Sequence, residues 1–456
     1  MSTHEKYWID DWRPEDREFW RERGKRVAFR NLVWSILAEN IGFSVWLLWS
    51  VVAVRLPDAG FAYTREQLFE LVALPGLVGA LIRVPYTFAV PKFGGRNWTM
   101  ASALLLLVPT LGLIALVNRP ETPFWLMALV AASAGLGGGN FSSSMANISF
   151  FFPDREKGFA LGLNAAGGNL GVSSVQLVVP LVIGFSILPG AGAGVHLENA
   201  ALIWLPLIAI ATAGAFFGMD NLSSARANLK DQVVVLRERH TFIMSFLYIG
   251  TFGSFVGYSA AFPLLLKSEF PEVGVGLAFL GPLVGSLVRP LGGKLADRLG
   301  GARVTFWNFF AMTLASVGLL WSLEQRSLAL FLGVFLALFV TAGIGNGSTF
   351  RMIPVIFRAL HARRAEGRGA EAAAAAEVLA RREAAAVLGL SAAVGALGGY
   401  FIPRAFAASL SLGGGAERAV LGFVFFYLAC LGTTWWCYLR KRFLVARRPS
   451  LAAAGA

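Results

Sequence analysis

Apolar runs of about 20 residues recur along the whole chain, and each is long enough to span a bilayer. They lie near 31–54, 68–92, 97–117, 123–149, 157–188, 200–219, 241–266, 273–296, 302–323, 328–357, 384–409 and 417–438. Every backbone polar group in hydrocarbon must find an internal partner, which leaves helices or closed barrels. A barrel would read as alternating segments of about ten residues, which these are not. The chain therefore reads as an all-α polytopic membrane protein with about twelve spans. Its composition agrees: 56% of residues are hydrophobic and 15% charged, against about a quarter charged in soluble proteins.

The formal charge is +13. In a soluble protein this would point to nucleic acid; here it is the positive-inside signal, and no nucleic-acid partner is expected. Basic residues cluster in the N-terminal segment, around Lys92/Arg96, Arg155/Lys157, Arg237/Arg239, Lys294/Arg298/Arg303, Arg363/Arg364/Arg381/Arg382 and in 440–442, while alternate loops carry few. Both termini are expected to be cytoplasmic. Residues 1–30 are too charged for a signal peptide, and Trp8, Trp12, Phe19 and Trp20 suit a segment lying at the membrane interface. Cys430 and Cys437 permit neither a disulfide framework nor a metal-ligand spacing, and no cofactor is implied. The expected layout is an N-terminal segment 1–30, a six-helix bundle 31–220, a cytoplasmic linker 221–240, a second bundle 241–438 and a cytoplasmic tail 439–456. Within the second bundle the Ala-, Glu- and Arg-rich loop 359–383 is expected to form a cytoplasmic helix.

The two halves repeat. "LVGALIR" ending at Arg83 matches "LVGSLVR" ending at Arg289, and Gly94-Gly95 matches Gly300-Gly301 in the same register. "AGLGGGN" (134–140) matches "AGIGNGS" (342–348), and "GLNAAGGNLG" (162–171) matches "GLSAAVGALG" (389–398). Two six-span halves related by an axis along the membrane normal describe the major facilitator architecture. "GGKLADRLGGARV" (292–304) looks like that superfamily's loop signature. The first-half copy, "VPKFGGRNW", is degenerate and lacks the aspartate.

Arg83 and Arg289 are the chemistry-bearing pair. A charged side chain at mid-bilayer costs about 2.5–3.5 kcal/mol even on the lenient insertion scale. Pseudo-symmetry is expected to set the two guanidinium groups facing each other across a central cavity, where they repel. An anion between them would relieve both costs, and the planar fork of arginine suits a small oxyanion. A lone arginine of this kind could equally snorkel or cap a helix; the symmetric pair favours the anion. The glycine runs are the general device for close helix approach.

"GGGNFSSSMANISFFFP", "GLNAAGGNLGVS", "YIGTFGSFVGYSAAF" and "GLSAAVGALGGYFIP" resemble the nitrate/nitrite porters of the major facilitator superfamily, and the likeness covers nearly the whole chain. "WRPED" and the long 359–383 loop resemble its exchange-type branch. The resemblance implies that Arg83 and Arg289 clamp the anion and that Phe141 and Phe252 sandwich its flat faces. It also implies that Tyr248, Asn169 and Ser391 offer polar side chains, while Gly167, Gly168 and Gly395 let backbone approach. For Phe141 the competing role is core packing, and for Asn169 a helix-to-helix hydrogen bond. Two residues depart from the pattern. Glu39 is the only carboxylate placed deep in a span, and Arg351 is expected to snorkel to headgroups, with anion binding on exit or pairing with Glu39 as alternatives.

The expected function is a secondary transporter, active as a monomer in a bacterial-type cytoplasmic membrane, exchanging nitrate for nitrite by alternating access. The alternative is nitrate/proton symport with Glu39 as the proton site. An anion channel or a nutrient sensor is the reading from outside that class. No catalytic constellation is visible, so no enzyme is expected.

Overall fold

The computed structural model describes residues 7–185, 194–225, 234–413, 415–440 and 451. Among them, twelve helices are long and apolar enough to cross a membrane. They are α1 (Arg17–Arg55), α2 (Arg65–Phe93), α3 (Gly95–Leu116), α4 (Phe124–Phe151), α5 (Asp154–Val182), α6 (Asn199–Gly218), α7 (Arg239–Glu269), α8 (Val275–Leu299), α9 (Gly301–Glu324), α10 (Leu328–Ala365), α11 (Ala370–Ser411) and α12 (Glu417–Leu439). Each predicted span has its helix. The parts of the predicted segments at 1–6, 186–188, 226–233, 441–450 and 452–456 lie outside the described residues.

Local chemistry fixes several helix ends. Thr64 caps α2 reciprocally: its Oγ1 accepts from the Gln67 backbone N–H (3.2 Å), and Gln67 Oε1 accepts from the Thr64 N–H (2.9 Å), which satisfies two orphan donors. The α2–α3 and α8–α9 corners turn at Gly94 (φ +86°) and Gly300 (φ +89°), backbone that only glycine adopts readily. The repeat seen in the sequence is thus a repeat in backbone conformation.

The chain divides into two compact units. The first comprises Met1–Ala227, Gly257–Leu283 and Gly399–Ala408; the second comprises Asn228–Val256, Val284–Gly398 and Ser409–Ala456. This cut differs from the expected bundles 31–220 and 241–438, because lateral packing rather than chain order groups the helices. Inside the first unit, Gln176 Nε2 donates to the Ser259 carbonyl (2.6 Å), and Glu70 pairs with Arg404 (3.0 Å). Gly76 lies so close to Gly399 that a Cβ on it would stand 2.3 Å from the Gly399 carbonyl carbon.

Two expectations are corrected. The segment 359–383 is not a separate helix: α10 runs on to Ala365 and α11 begins at Ala370. The alanine-rich sequence simply extends both spans beyond their apolar stretches, because alanine is the best helix former. The N-terminal segment, expected at the membrane interface, is packed against the protein. Trp8–Ile9 pairs in parallel with Asn221–Leu222. Trp12 and Trp20 are buried in a cluster with Leu32, Ile148, Phe151, Phe152 and Leu222. Trp20 Nε1 donates to Glu156 (2.8 Å), and Glu15 accepts from the Asp154 N–H at the start of α5 (2.8 Å). The aromatic residues that suit an interface suit a protein groove equally well; the groove supplies a partner for Trp20 Nε1 but none for Trp12 Nε1.

This docking has a measurable consequence. Trp12→Ala or Trp20→Ala is expected to lower the stability of the purified protein in detergent by about 3 kcal/mol, the usual loss for a buried aromatic. Wild-type thermal stability of both variants would instead favour an interfacial anchor.

Candidate functional site

In the first unit, the site starts from Arg83 on α2, which is fully buried. Its Nε donates to the Gly138 carbonyl of α4 (3.0 Å). Its guanidinium carbon lies 4.8 Å from the Phe141 ring centroid and 5.2 Å from that of Trp46, within cation–π range. Trp46 is held by a hydrogen bond from Nε1 to the Pro75 carbonyl (2.7 Å). It fits because glycines wall its slot: a Cβ on Gly79 would stand 2.5 Å from its Nε1, and one on Gly138 2.7 Å from its Cε2. Sequence reasoning missed Trp46, since an aromatic in an apolar span carries no distinguishing pattern.

The α1–α5 contact is equally tight. A Cβ on Gly167 would meet Ile36 Cγ2 at 2.4 Å, and one on Gly168 would meet Glu39 Oε1 at 2.2 Å. Both glycines therefore face α1, and the Gly167 carbonyl accepts from Asn40 Nδ2 (2.9 Å). Glu39 is fully buried and accepts from Ser144 Oγ on α4 and from Asn164 Nδ2 on α5 (2.6 Å). Asn169 is buried too, and neither of its side-chain polar atoms has a hydrogen-bond partner. The helix-to-helix hydrogen bond considered for it is not formed. A buried amide left in this way loses about 1–3 kcal/mol for each unmet group.

In the second unit, Arg289 on α8 is buried. Its Nη2 donates to Tyr248 Oη over a long 3.5 Å, and its guanidinium carbon lies 5.7 Å from the Phe350 ring. Tyr248 Oη in turn donates to Asn346 Oδ1 (2.6 Å). Tyr248 precedes the widened π-helical turn Ile249–Gly253 of α7 and Phe252 lies within it, and their rings stack with centroids 5.3 Å apart. Such turns re-aim side chains and recur at functional sites. A Cβ on Gly395 would stand 2.7 Å from Tyr248 Cδ1 and 3.3 Å from Phe252 Cδ1. Ser391 Oγ lies 3.1 Å from Ser245 Oγ. The structure thus gathers Arg289, Tyr248, Phe252, Ser391 and Gly395 around α7, and adds Asn346 and Phe350.

Arg351 pairs with Asp297 of the loop-signature segment, both half-exposed. Glu39, in the other unit, has Ser144 and Asn164 as its partners. Among the described residues, no group of three or more His, Cys, Asp or Glu could hold a metal ion.

Comparison with known proteins agrees with this geometry at two levels. The model of the Major Facilitator Superfamily matches residues 40–403. A solved bacterial homologue of the human lysosomal transporter Spinster shares the fold, with TM-score 0.64 at 14% identity over 90% of this chain and 97% of that one. The nitrate/nitrite transporter NarU of Salmonella typhimurium is 46% identical over 97% of this chain and 98% of its own length. The probable nitrate/nitrite antiporter NarK2 of Thermus thermophilus is 38% identical over 95% and 97%. The chain belongs to the nitrate/nitrite porter family of the Major Facilitator Superfamily.

The glycine contacts make a sharp prediction. Gly168→Ala drives a methyl group into the Glu39 carboxylate between two packed helices. It is expected to cut transport more than about tenfold, since overpacking of this kind costs about 1–3 kcal/mol, and to lower thermal stability. Gly158→Ala, where a Cβ meets nothing within 4 Å, is the control and should behave as wild type. Equal behaviour of the two variants would contradict the packing described.

Proposed function

We propose that this protein exchanges nitrate for nitrite across the cytoplasmic membrane of a bacterial cell by alternating access. Arg83 and Arg289 bind the anion, and Phe141, Phe252, Tyr248, Asn169 and Ser391 shape its surroundings. The observation that carries this reading is the pair of buried arginines at matching positions of the two repeats, each set against aromatic rings. Two cations held at such depth call for an anion. Nitrate is flat, weakly hydrated and monovalent, so aromatic faces with donors at the edge suit it better than a tetrahedral dianion. Relatives at 46% and 38% identity, a nitrate/nitrite transporter and a probable nitrate/nitrite antiporter, support the same cargo.

Exchange needs no titrating group, because the anion itself neutralises the arginines and lets the site reorient. The surroundings of Glu39 favour this over symport: Ser144 and Asn164 tie its carboxylate into the junction of α1, α4 and α5, a structural post. In this reading the protein acts as a monomer with both termini cytoplasmic, and its rigid bodies follow the bundles 31–220 and 241–438.

Two measurements test it. Arg83→Lys and Arg289→Lys should each reduce nitrate uptake at least about a hundredfold at normal expression, because lysine keeps the charge and loses the planar fork. Wild-type uptake in either variant would remove the clamp. Glu39→Gln should keep nitrate/nitrite counterflow in proteoliposomes with its pH dependence unaltered. If it instead abolished proton-driven nitrate uptake while sparing counterflow, symport would replace exchange.

A further inference from the structure

The two halves hold their arginines differently, and the difference falls at one aligned position. Residues 342–348 repeat 134–140, so Asn346 stands where the first half has Gly138. In the first half, Arg83 Nε bonds the Gly138 carbonyl directly (3.0 Å). In the second, Asn346 brings a side-chain amide to that place, and Arg289 reaches it through the Tyr248 hydroxyl.

The direction of donation in this chain of groups matters. A guanidinium only donates, so Tyr248 Oη accepts from Arg289 and commits its single proton to Asn346 Oδ1. The amide is thereby oriented, with its NH2 turned away from the phenol. Asn346 is fully buried, and its Nδ2 has no hydrogen-bond partner. A buried NH2 group without an acceptor is costly unless a ligand supplies one. The neighbouring groups, Arg289, Tyr248 and Phe350, are a cation, a committed hydroxyl and a ring, so the acceptor it awaits is an anion oxygen.

We propose that Asn346 is the residue by which the site distinguishes nitrate from nitrite: its Nδ2 donates to the third oxygen of nitrate. Nitrite has two oxygens and a nitrogen lone pair, so with both oxygens engaged by guanidinium donors it leaves this amide unmet. A site that offers a donor favours the ligand with the matching acceptor over one that lacks it. The inference rests on the reading of Arg83 and Arg289 as the anion site, and adds a selectivity that the arginines alone would not give. Glycine at the equivalent position of the first half cannot supply such a donor, so discrimination resides in one half of the pseudo-symmetric pair.

The test is the affinity of each anion in Asn346→Ala, with Asn346→Leu as a second variant that fills the space. Nitrate affinity is read from concentration-dependent uptake of labelled nitrate into proteoliposomes, and nitrite affinity from inhibition of that uptake by unlabelled nitrite. Both variants should raise the nitrate KM by about fivefold to tenfold, the value of one lost hydrogen bond at a buried site. The nitrite inhibition constant should move less than about twofold on the same scale. A parallel loss for both anions would make Asn346 merely structural and overturn the proposal, as would an unchanged nitrate KM in either variant. Arg289→Lys assayed alongside separates this inference from the site reading beneath it. If that variant is silent and Asn346→Ala weakens both anions alike, only the selectivity role falls. If it transports as wild type, both fall together.

Discussion

Two buried guanidinium groups govern the rest of this protein. Arg83 and Arg289 are buried within apolar stretches of their helices, "LVGALIR" and "LVGSLVR". Arginine cannot shed its proton to escape the penalty. The groups set around them include a backbone carbonyl and two rings for Arg83, and a phenol and one ring for Arg289. In the proposed transport cycle the anion completes the compensation, which is also why reorientation without cargo is disfavoured.

Glycine makes those compensations geometrically available. Trp46 reaches Arg83 only because Gly79 and Gly138 leave its slot open, and Glu39 reaches the α4–α5 junction only because Gly168 carries no side chain. On the second side, Gly395 allows α11 to approach the stacked Tyr248 and Phe252. The glycine-rich signatures thus act through helix packing that sets polar and aromatic groups at fixed distances. Membrane helices gain little from hydrophobic burial against one another, so close packing of this kind carries much of their association.

The spans, the repeat and the arginine pair were legible in the sequence because each is written in a strong signal: length and hydropathy for the spans, matched motifs for the repeat, charge in an apolar run for Arg83 and Arg289. What was not legible depends on which surface a residue meets. Trp12 and Trp20 have the composition of an interface anchor, and only the groove lined by Ile148, Phe151 and Phe152 makes them core residues. The run 359–383 is rich in helix formers, and the break at 366–369 between α10 and α11 falls at Gly367 and Gly369, both in left-handed backbone (φ +78° and +88°), a signal that the alanine content masked. Asn346 was hidden by the repeat itself, since its counterpart is a glycine that offers no side chain. Arg351 meets Asp297 because α8 and α10 bring the two together, which no spacing along the chain reveals.

The central claim is that the buried arginines bind a planar monovalent anion, and ligand-dependent stability tests it most directly. A ligand that binds only the folded state stabilises it by RT ln(1 + [L]/Kd). Thermal unfolding of the purified protein should therefore shift upward with nitrate and with nitrite in a saturable manner. Sulfate at equal ionic strength should give no such shift, nor should nitrate added to Arg83→Lys or Arg289→Lys. An equal shift with sulfate, or an undiminished nitrate shift in both lysine variants, would contradict the account.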